Sequence, residues 1–448
     1  MEPKNGLYLS TQDFPQWSDD IAPLLSDTNV CLSDEDDMLT KNITFVVTEA
    51  CNLNCSYCYE CHKTNNRMTK EVAKQAVDML FDKNKINGYY NLDKTKAVVL
   101  EFIGGEPLIE IELMDYIVEY FKFRAFELNS PWASNYMISF TSNGVLFLND
   151  KVQKFLNRNK GRVSASITID GNKELHDSCR VFHNGEGSYD IVEKSIKFAV
   201  SKGLLNQTKI TLCPENVMYL NDALKNVWSL GIQGAFTNCV YEEGWTTEDA
   251  KILYSQMKQL ADYLLDDDNY KKYMCSLFDE NIGGELTSNR NWCGGNGQML
   301  AIGTDGKCFP CIRFMKYSLS TPGREEQPVG DVYEGLDKKE ENPWLLKLKK
   351  VDMDSQSEDK CKKCSVASGC SLCTGYNYDK FGTPNKRATF ICEMHQARVL
   401  ANSYYWNKLY NLLNIDKKFE LNLEEDRALK IISKEEFDSL KVLSKGGN

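Results

Sequence analysis

Cys51-Asn-Leu-Asn-Cys55-Ser-Tyr-Cys58 places three cysteines at C-x3-C-x2-C spacing. The loop follows an apolar run, Ile43-Thr-Phe-Val-Val47, that reads as a strand, and it leads into a helix-period stretch from Met68 to Phe81. Three thiolates at one turn can hold three irons of a cubane cluster and leave the fourth iron without a protein ligand. An unfilled iron is a place where chemistry can happen. The competing reading is a zinc knuckle closed by a fourth ligand, with Cys61 and His62 close by. Structural zinc commonly takes paired C-x2-C arms, whereas a three-cysteine loop between strand and helix suits an iron–sulfur cluster.

Outward from this loop, the same alternation continues. Strands are predicted at 42–48, 97–103, 136–141, 163–169, 208–213 and 234–240. Amphipathic segments lie at 69–83, 110–127, 149–158, 188–202 and 219–229. Strands separated by helices imply a parallel sheet with right-handed crossovers. Six such units fall short of an eight-stranded barrel, so the expected fold class is α/β, a partial (β/α)6 barrel. A small cysteine-rich domain and a helical C-terminal tail follow it. The expected boundaries are an acidic N-terminal extension at 1–40, the barrel at 41–245, a helical bridge at 246–292, the cysteine-rich domain at 293–395 and the helical segment at 396–448.

The 448 residues include 42% hydrophobic and 11% aromatic residues, enough for a substantial core in two or three domains. A formal net charge of −11 argues against nucleic acid as a partner, because phosphate binding depends on clustered Lys and Arg. No apolar run approaches the roughly 18 residues needed to span a bilayer, so no membrane partner is expected. Seventeen cysteines without a recognisable secretory signal point to metal or cluster ligation in a reducing, cytoplasmic setting.

C-x3-C-x2-C with Tyr57 before the last cysteine resembles the signature of radical S-adenosylmethionine (SAM) enzymes. The resemblance implies SAM bound at the open iron and a 5′-deoxyadenosyl radical as the working species. It implies Cys51, Cys55 and Cys58 as ligands of the catalytic [4Fe–4S] cluster. Gly104-Gly-Glu-Pro107, at a strand's C-terminal end, resembles the family's motif for the methionine amino group, which implies SAM contacts from Gly104, Gly105 and Glu106. Thr141-Ser-Asn-Gly144 and Thr168-Ile-Asp-Gly171 resemble ribose-contacting strand ends, implying Ser142, Asn143 and Thr168. The Gly-Gly and Asn-Gly segments also read as ordinary turns, and Thr168 stands where the family's element usually has Ser. Arg180 in His176-Asp-Ser-Cys-Arg180 matches the subfamily pattern, and a guanidinium suits bidentate capture of the SAM carboxylate. Neither His176 nor Cys179 has a predicted role.

The C-terminal cysteines carry a second resemblance. Cys293, Gly306 and Cys311, then Cys361-Lys-Lys-Cys364, Cys370, Cys373 and Cys392, look like the SPASM pattern, which implies two auxiliary [4Fe–4S] clusters and three in all. Carried over by position, Cys361, Cys364, Cys370 and Cys392 hold one cluster, and Cys293, Cys311 and Cys373 hold the other. Two departures stand out. Only two residues separate Cys370 from Cys373, and no cysteine closely follows Cys293. Cys308 is the replacement candidate for the fourth ligand; otherwise that cluster has an open iron. A zinc ribbon of Cys361, Cys364, Cys370 and Cys373 is the alternative. Cys31, Cys61, Cys213, Cys239 and Cys275 fit neither pattern and are expected to be buried apolar residues.

SPASM-bearing enzymes mostly modify peptides or proteins. Ile312 stands where sulfatase-maturing members carry an Asp after the matching cysteine, which removes their general base. Cys308-Phe-Pro-Cys-Ile-Arg-Phe314 resembles maturases of ribosomally made peptides with repeated cysteines. The resemblance therefore implies thioether formation on a cysteine-containing precursor peptide, with a reductant such as flavodoxin or ferredoxin. Carbon–carbon crosslinking, epimerisation and formylglycine maturation stay open beside it.

Overall fold

The computed structural model describes residues 40–445 except 87–89, 91, 206, 290, 292 and 338–341. The acidic extension expected at 1–40 lies almost wholly outside the described residues. Six parallel strands form the centre: β1 (Thr40–Thr48), β2 (Ala97–Gly104), β3 (Tyr136–Ser142), β4 (Val163–Thr168), β5 (Gln207–Leu212) and β6 (Gly234–Cys239). Between them run α1 (Lys70–Phe81), α2 (Ile111–Glu127), α3 (Asp150–Arg158), α4 (Lys173–Cys179), α5 (Tyr189–Ser201) and α6 (Leu220–Ser229). Helix starts follow local chemistry. Thr69 accepts the Val72 N–H at 3.2 Å, and Asn149 accepts the Lys151 N–H at 2.9 Å.

The sheet extends past the six expected strands. Helix α7 (Thr247–Leu265) leads to β7 (Met274–Cys275), which pairs parallel with β6. At the other edge, β8 (Met299–Ile302) pairs parallel with β1, and β9 (Cys308–Phe309) folds back antiparallel on β8. The order is β7-β6-β5-β4-β3-β2-β1-β8-β9. Consequently the cysteine-rich region shares the barrel's sheet, and the bridge predicted as helical contains a strand. Short strands of two to four residues give too few positions for alternation to register in sequence.

Alternation positions the site. Ile43, Phe45, Val98, Leu100, Phe102, Ile138 and Phe140 turn to the helices and are fully buried. The other face of β1, β3, β4 and β5 is largely polar and opens on the barrel interior. Helices α8 (Thr374–Phe381), α9 (Cys392–Leu413) and α10 (Lys434–Ser444) complete the C-terminal half. Leu253, Met257, Leu260 and Leu264 of α7 join Ala397, Leu400 and Leu409 of α9 in the same hydrophobic core. No described helix is long and apolar enough to cross a membrane.

Candidate active site

The three-cysteine loop leaves β1 and is fixed on one side by the segment after α4. Asn54 donates its N–H to Val181 O at 2.8 Å, Ser56 to Cys179 O at 3.0 Å, and the His183 imidazole to Cys51 O at 2.9 Å. Cys51, Cys55 and Cys58 are all half-buried. Burial pushes the Cys51 thiol up to about 11. Burial also raises Cys55, with Arg180 opposing. Ligation would therefore have to draw protons off these thiols, as metal binding to cysteine does generally. Lys63, unremarked in the sequence, sets its ammonium against Cys58 and Cys51.

Gly104 and Gly105 meet the cysteine loop's own backbone. A Cβ on Gly104 would stand 2.1 Å from Thr48 O, and one on Gly105 2.4 Å from Ala50 O. The glycines are thus demanded by the packing of β1's exit against β2's end, whatever ligand lies above. Glu106 behaves similarly. Its buried carboxylate accepts from Asn143 N at 2.7 Å, Ser142 Oγ at 2.9 Å and Leu108 N at 3.1 Å. It fastens the end of β2 to that of β3. Asn143 then reaches the cysteine loop, donating to Asn52 Oδ1 at 2.7 Å with Cys51 Sγ 3.8 Å away. The strand ends and the loop form one hydrogen-bonded platform.

Across it lies a buried trio. Arg180 donates to the Tyr57 hydroxyl at 2.7 Å, Tyr57 donates to Asp170 Oδ2, and Arg180 lies 3.8 Å from Asp170. Burial pushes the Asp170 carboxyl upward, opposed chiefly by Arg180. Two atoms of the trio are left over. Asp170 Oδ1 and Arg180 Nε are buried without a partner among the described residues. An unpaired acceptor beside an unpaired donor is costly unless a ligand with both polarities completes it. The amino-acid end and ribose of SAM carry such groups, so these residues fit that cofactor. Thr168, also predicted here, is buried at the end of β4.

The trio rests on His176, whose role the sequence did not disclose. Its Nδ1 accepts the Asp170 N–H at 3.3 Å, and its Nε2 donates to Ser188 Oγ at 2.9 Å. Burial, with a contribution from Arg180, holds its pKa down to about 3. A buried neutral ring with both nitrogens engaged is a positioning element.

Two cysteine groups form in the C-terminal half. Cys361, Cys364, Cys370 and Cys392 line one common cavity together with Arg387 and Arg427. Gln396 donates to Cys392 Sγ at 3.4 Å, and Arg427 to Cys364 Sγ at 3.5 Å. Among the described residues no three His, Cys, Asp or Glu side chains converge at single-ion spacing. A tetrahedral zinc site would need sulfurs roughly 3.8 Å apart, given Zn–S bonds near 2.3 Å. A cavity walled by four thiols suits a larger group. The second set is Cys293, Cys311 and Cys373, close enough to act on one another electrostatically. Gly295 sits beside both sulfurs, its Cβ position 3.6 Å from Cys293 Sγ and 3.8 Å from Cys311 Sγ.

Cys308 does not join them. On β9 its thiol points toward Gly306 O at 3.9 Å and the carboxylates of Asp331, Asp305 and Asp337. Its candidacy as fourth ligand is corrected: strand geometry turns it away from Cys311. Cys61 is corrected as well, being exposed, with its thiol near Leu319 O at 3.7 Å. Cys213, Cys239 and Cys275 are buried, and Cys31 lies outside the described residues.

Residues 45–226 match the radical SAM superfamily. The antilisterial bacteriocin subtilosin biosynthesis protein AlbA of Bacillus subtilis is 25% identical over 359 residues, 76% of this chain and 69% of that protein. A cysteine-type anaerobic sulfatase-maturating enzyme of Clostridium perfringens is 24% identical over 408 residues, 82% of this chain and 96% of that one. An uncharacterized protein of Methanocaldococcus jannaschii is 28% identical over 202 residues, and the chain spans 60% of its length. Among solved structures, anSMEcpe with bound AdoMet and Cp18Cys peptide superposes with a TM-score of 0.62 at 19% identity, covering 84% of this chain and 100% of that one. Streptococcus suis SuiB bound to precursor peptide SuiA gives 0.51 at 12% identity, covering 83% and 79%. At such identities the structures speak to fold alone. The match falls on the strand-loop-helix units that carry the three-cysteine loop and the Tyr57–Asp170–Arg180 trio, and the chain is an enzyme that carries a radical SAM domain over residues 45–226.

Proposed function

We propose that this enzyme modifies a ribosomally made, cysteine-containing precursor peptide, joining Cys sulfur to an acceptor carbon as a thioether. The carrying observation is that two three-cysteine groups approach each other. Arg313, acted on by Cys373, places its guanidinium 5.1 Å from the ring of Tyr59, the residue after Cys58. A peptide lying between them could meet one group with its acceptor carbon and the other with its thiol.

In this reading Cys51, Cys55 and Cys58 would hold the catalytic cluster. Cys293, Cys311 and Cys373 would hold one auxiliary cluster, and Cys361, Cys364, Cys370 and Cys392 another. SAM, bound with its cluster, supplies a 5′-deoxyadenosyl radical able to remove hydrogen from an unactivated carbon. The chain's own groups provide binding and order. Arg180 would pair with the carboxylate of SAM, and Asp170 would accept from its amine or a ribose hydroxyl. Glu106 and Asn143 hold the strand ends and the cysteine loop in register. Tyr59 and Tyr376 flank Arg313, and with the buried Tyr317 they would keep water from the space beside it, protecting reactive species from quenching.

Two relatives support the peptide as substrate: AlbA is a subtilosin biosynthesis protein, and SuiB is seen bound to a precursor peptide. A second reading, formylglycine maturation, is favoured by the near full-length match to the Clostridium perfringens enzyme. Ile312, in place of a carboxylate after Cys311, weighs against it. Incubation of the anaerobically prepared enzyme with SAM, dithionite and a cysteine-repeat peptide separates the two. Thioether formation removes two hydrogens, retains sulfur and blocks thiol alkylation, whereas aldehyde formation loses the sulfur. Substituting Cys55→Ala should abolish 5′-deoxyadenosine release; continued release would reject the assignment of the loop.

A further inference from the structure

The inward faces of β1–β6 can be read from their register. Thr44 aligns with Glu101, Glu101 with Ser139, and Ser139 with Ser164. Thr168 aligns with Lys209, and Lys209 with Phe236. Hydroxyl side chains dominate these positions. Lys209 is the one lysine or arginine on this face among the described residues of the six strands. It sits level with Thr168, at the end of the barrel where Asp170 and the cysteine loop lie.

Lys209 makes no hydrogen bond or ion pair among the described residues. Its side chain is exposed to the open lumen, although the protein around it depresses the ammonium's pKa. Three charges act on it: Arg313, Glu101 and Asp170. Both carboxylates attract it, yet neither forms an ion pair with it among the described residues. Asp170 is engaged by Tyr57 and Arg180. Glu101 accepts from Thr44 Oγ1 at 2.5 Å, and it registers with Ser164, four residues deeper in the barrel than Thr168. Arg313 repels Lys209. Its guanidinium is held by Glu242 at 3.2 Å and flanked by Tyr59 and Tyr376 at 5.1 and 6.0 Å. Two cations thus border the space between the two three-cysteine groups, and together they attract an anionic group that enters it.

We infer that Lys209, with Arg313 opposite it, forms a carboxylate-binding subsite that anchors an acidic side chain of the substrate peptide. This rests on the peptide-modifying reading above and deepens it, by specifying an Asp or Glu near the reacting residue. A carboxylate is also present on SAM itself, so the test must separate the two sources.

Full-length enzyme, reconstituted anaerobically and saturated with SAM, would be titrated calorimetrically with acetyl-Cys-Ala-Asp-Ala-amide and with its Asn twin. The Asp peptide should bind about tenfold more tightly. Lys209→Met should erase that preference and Lys209→Arg should keep it, which also guards against a mere folding defect. Equal affinity for the twins, no binding of either, or a preference that survives in Lys209→Met overturns the subsite. If Lys209→Met loses affinity for SAM while the peptides stay indistinguishable, the carboxylate is that of SAM and the inference falls. Release of 5′-deoxyadenosine by the unsubstituted enzyme with SAM and dithionite is scored separately. Its absence would sink the underlying reading, whereas release without peptide discrimination sinks only the subsite.

Discussion

His176 shows how a residue without chemistry of its own can govern a site. Its neutral ring bridges the Asp170 backbone and Ser188, whose hydroxyl in turn donates to Arg180 O at 2.8 Å. One imidazole therefore sets both charged members of the trio. A histidine with a folded pKa near 3 and an unfolded value near 6.5 binds more protons when unfolded throughout that interval. Stability is accordingly whole above pH 6.5 and falls as the pH drops toward 3. Lowering the pH from 6.5 to 5.5 should cost about 1 kcal/mol through this group alone. Urea unfolding of the wild-type chain and of His176→Asn at both values checks it: the variant should be less stable at pH 6.5 yet lose less on acidification. An equal loss in both would mean that the ring is not held neutral by the fold.

At the scale of elements, α9 is the buttress of the C-terminal half, and its polar interior does the joining. Asn402 is fully buried; it accepts the Asp279 N–H at 2.8 Å and donates to Leu277 O at 2.8 Å. Arg398, one turn earlier, donates to the same carbonyl at 2.8 Å and to Ser276 O at 2.9 Å. These contacts tie α9 to the irregular segment after β7. Asn402→Ala strands a buried N–H and should destabilise the chain by about 2 kcal/mol, read from denaturant midpoints at unchanged slope. No such contact is visible in sequence, where Asn402 is one polar residue in a helical run. The six central strands and five of their helices were legible because each repeats its period over six residues or more. The brief strands β7, β8 and β9 were not, and neither was the reason for Gly104 and Gly105, since the carbonyls they accommodate belong to a neighbouring strand's exit. Motif spacing located the cysteines, but only the turn of β9 shows that Cys308 faces away from Cys311.

At the scale of the molecule, the cysteine groups stitch together segments that are distant in sequence. Cys293 precedes β8, Cys373 caps α8 by accepting the Tyr376 N–H at 3.4 Å, and Cys392 opens α9. Since β8 pairs with β1, the loop that carries Cys293 is continuous with the strand that delivers Cys51. Metal-ligand bonds across such spans add their free energy to folding, because the unfolded chain offers no preformed site. If each of the three groups holds a cubane, the anaerobically reconstituted chain carries about twelve irons. The double variant Cys361→Ala, Cys370→Ala should then fall to about eight irons and melt at lower temperature. The electron paramagnetic resonance signal of its Cys51–Cys55–Cys58 cluster should still shift on addition of SAM, because the four-cysteine cavity shares no ligand with that loop. Iron analysis and the SAM-dependent spectrum together decide the matter: an unchanged iron content would show that the cavity holds no cluster, and loss of the SAM response would show that the two halves do not load independently.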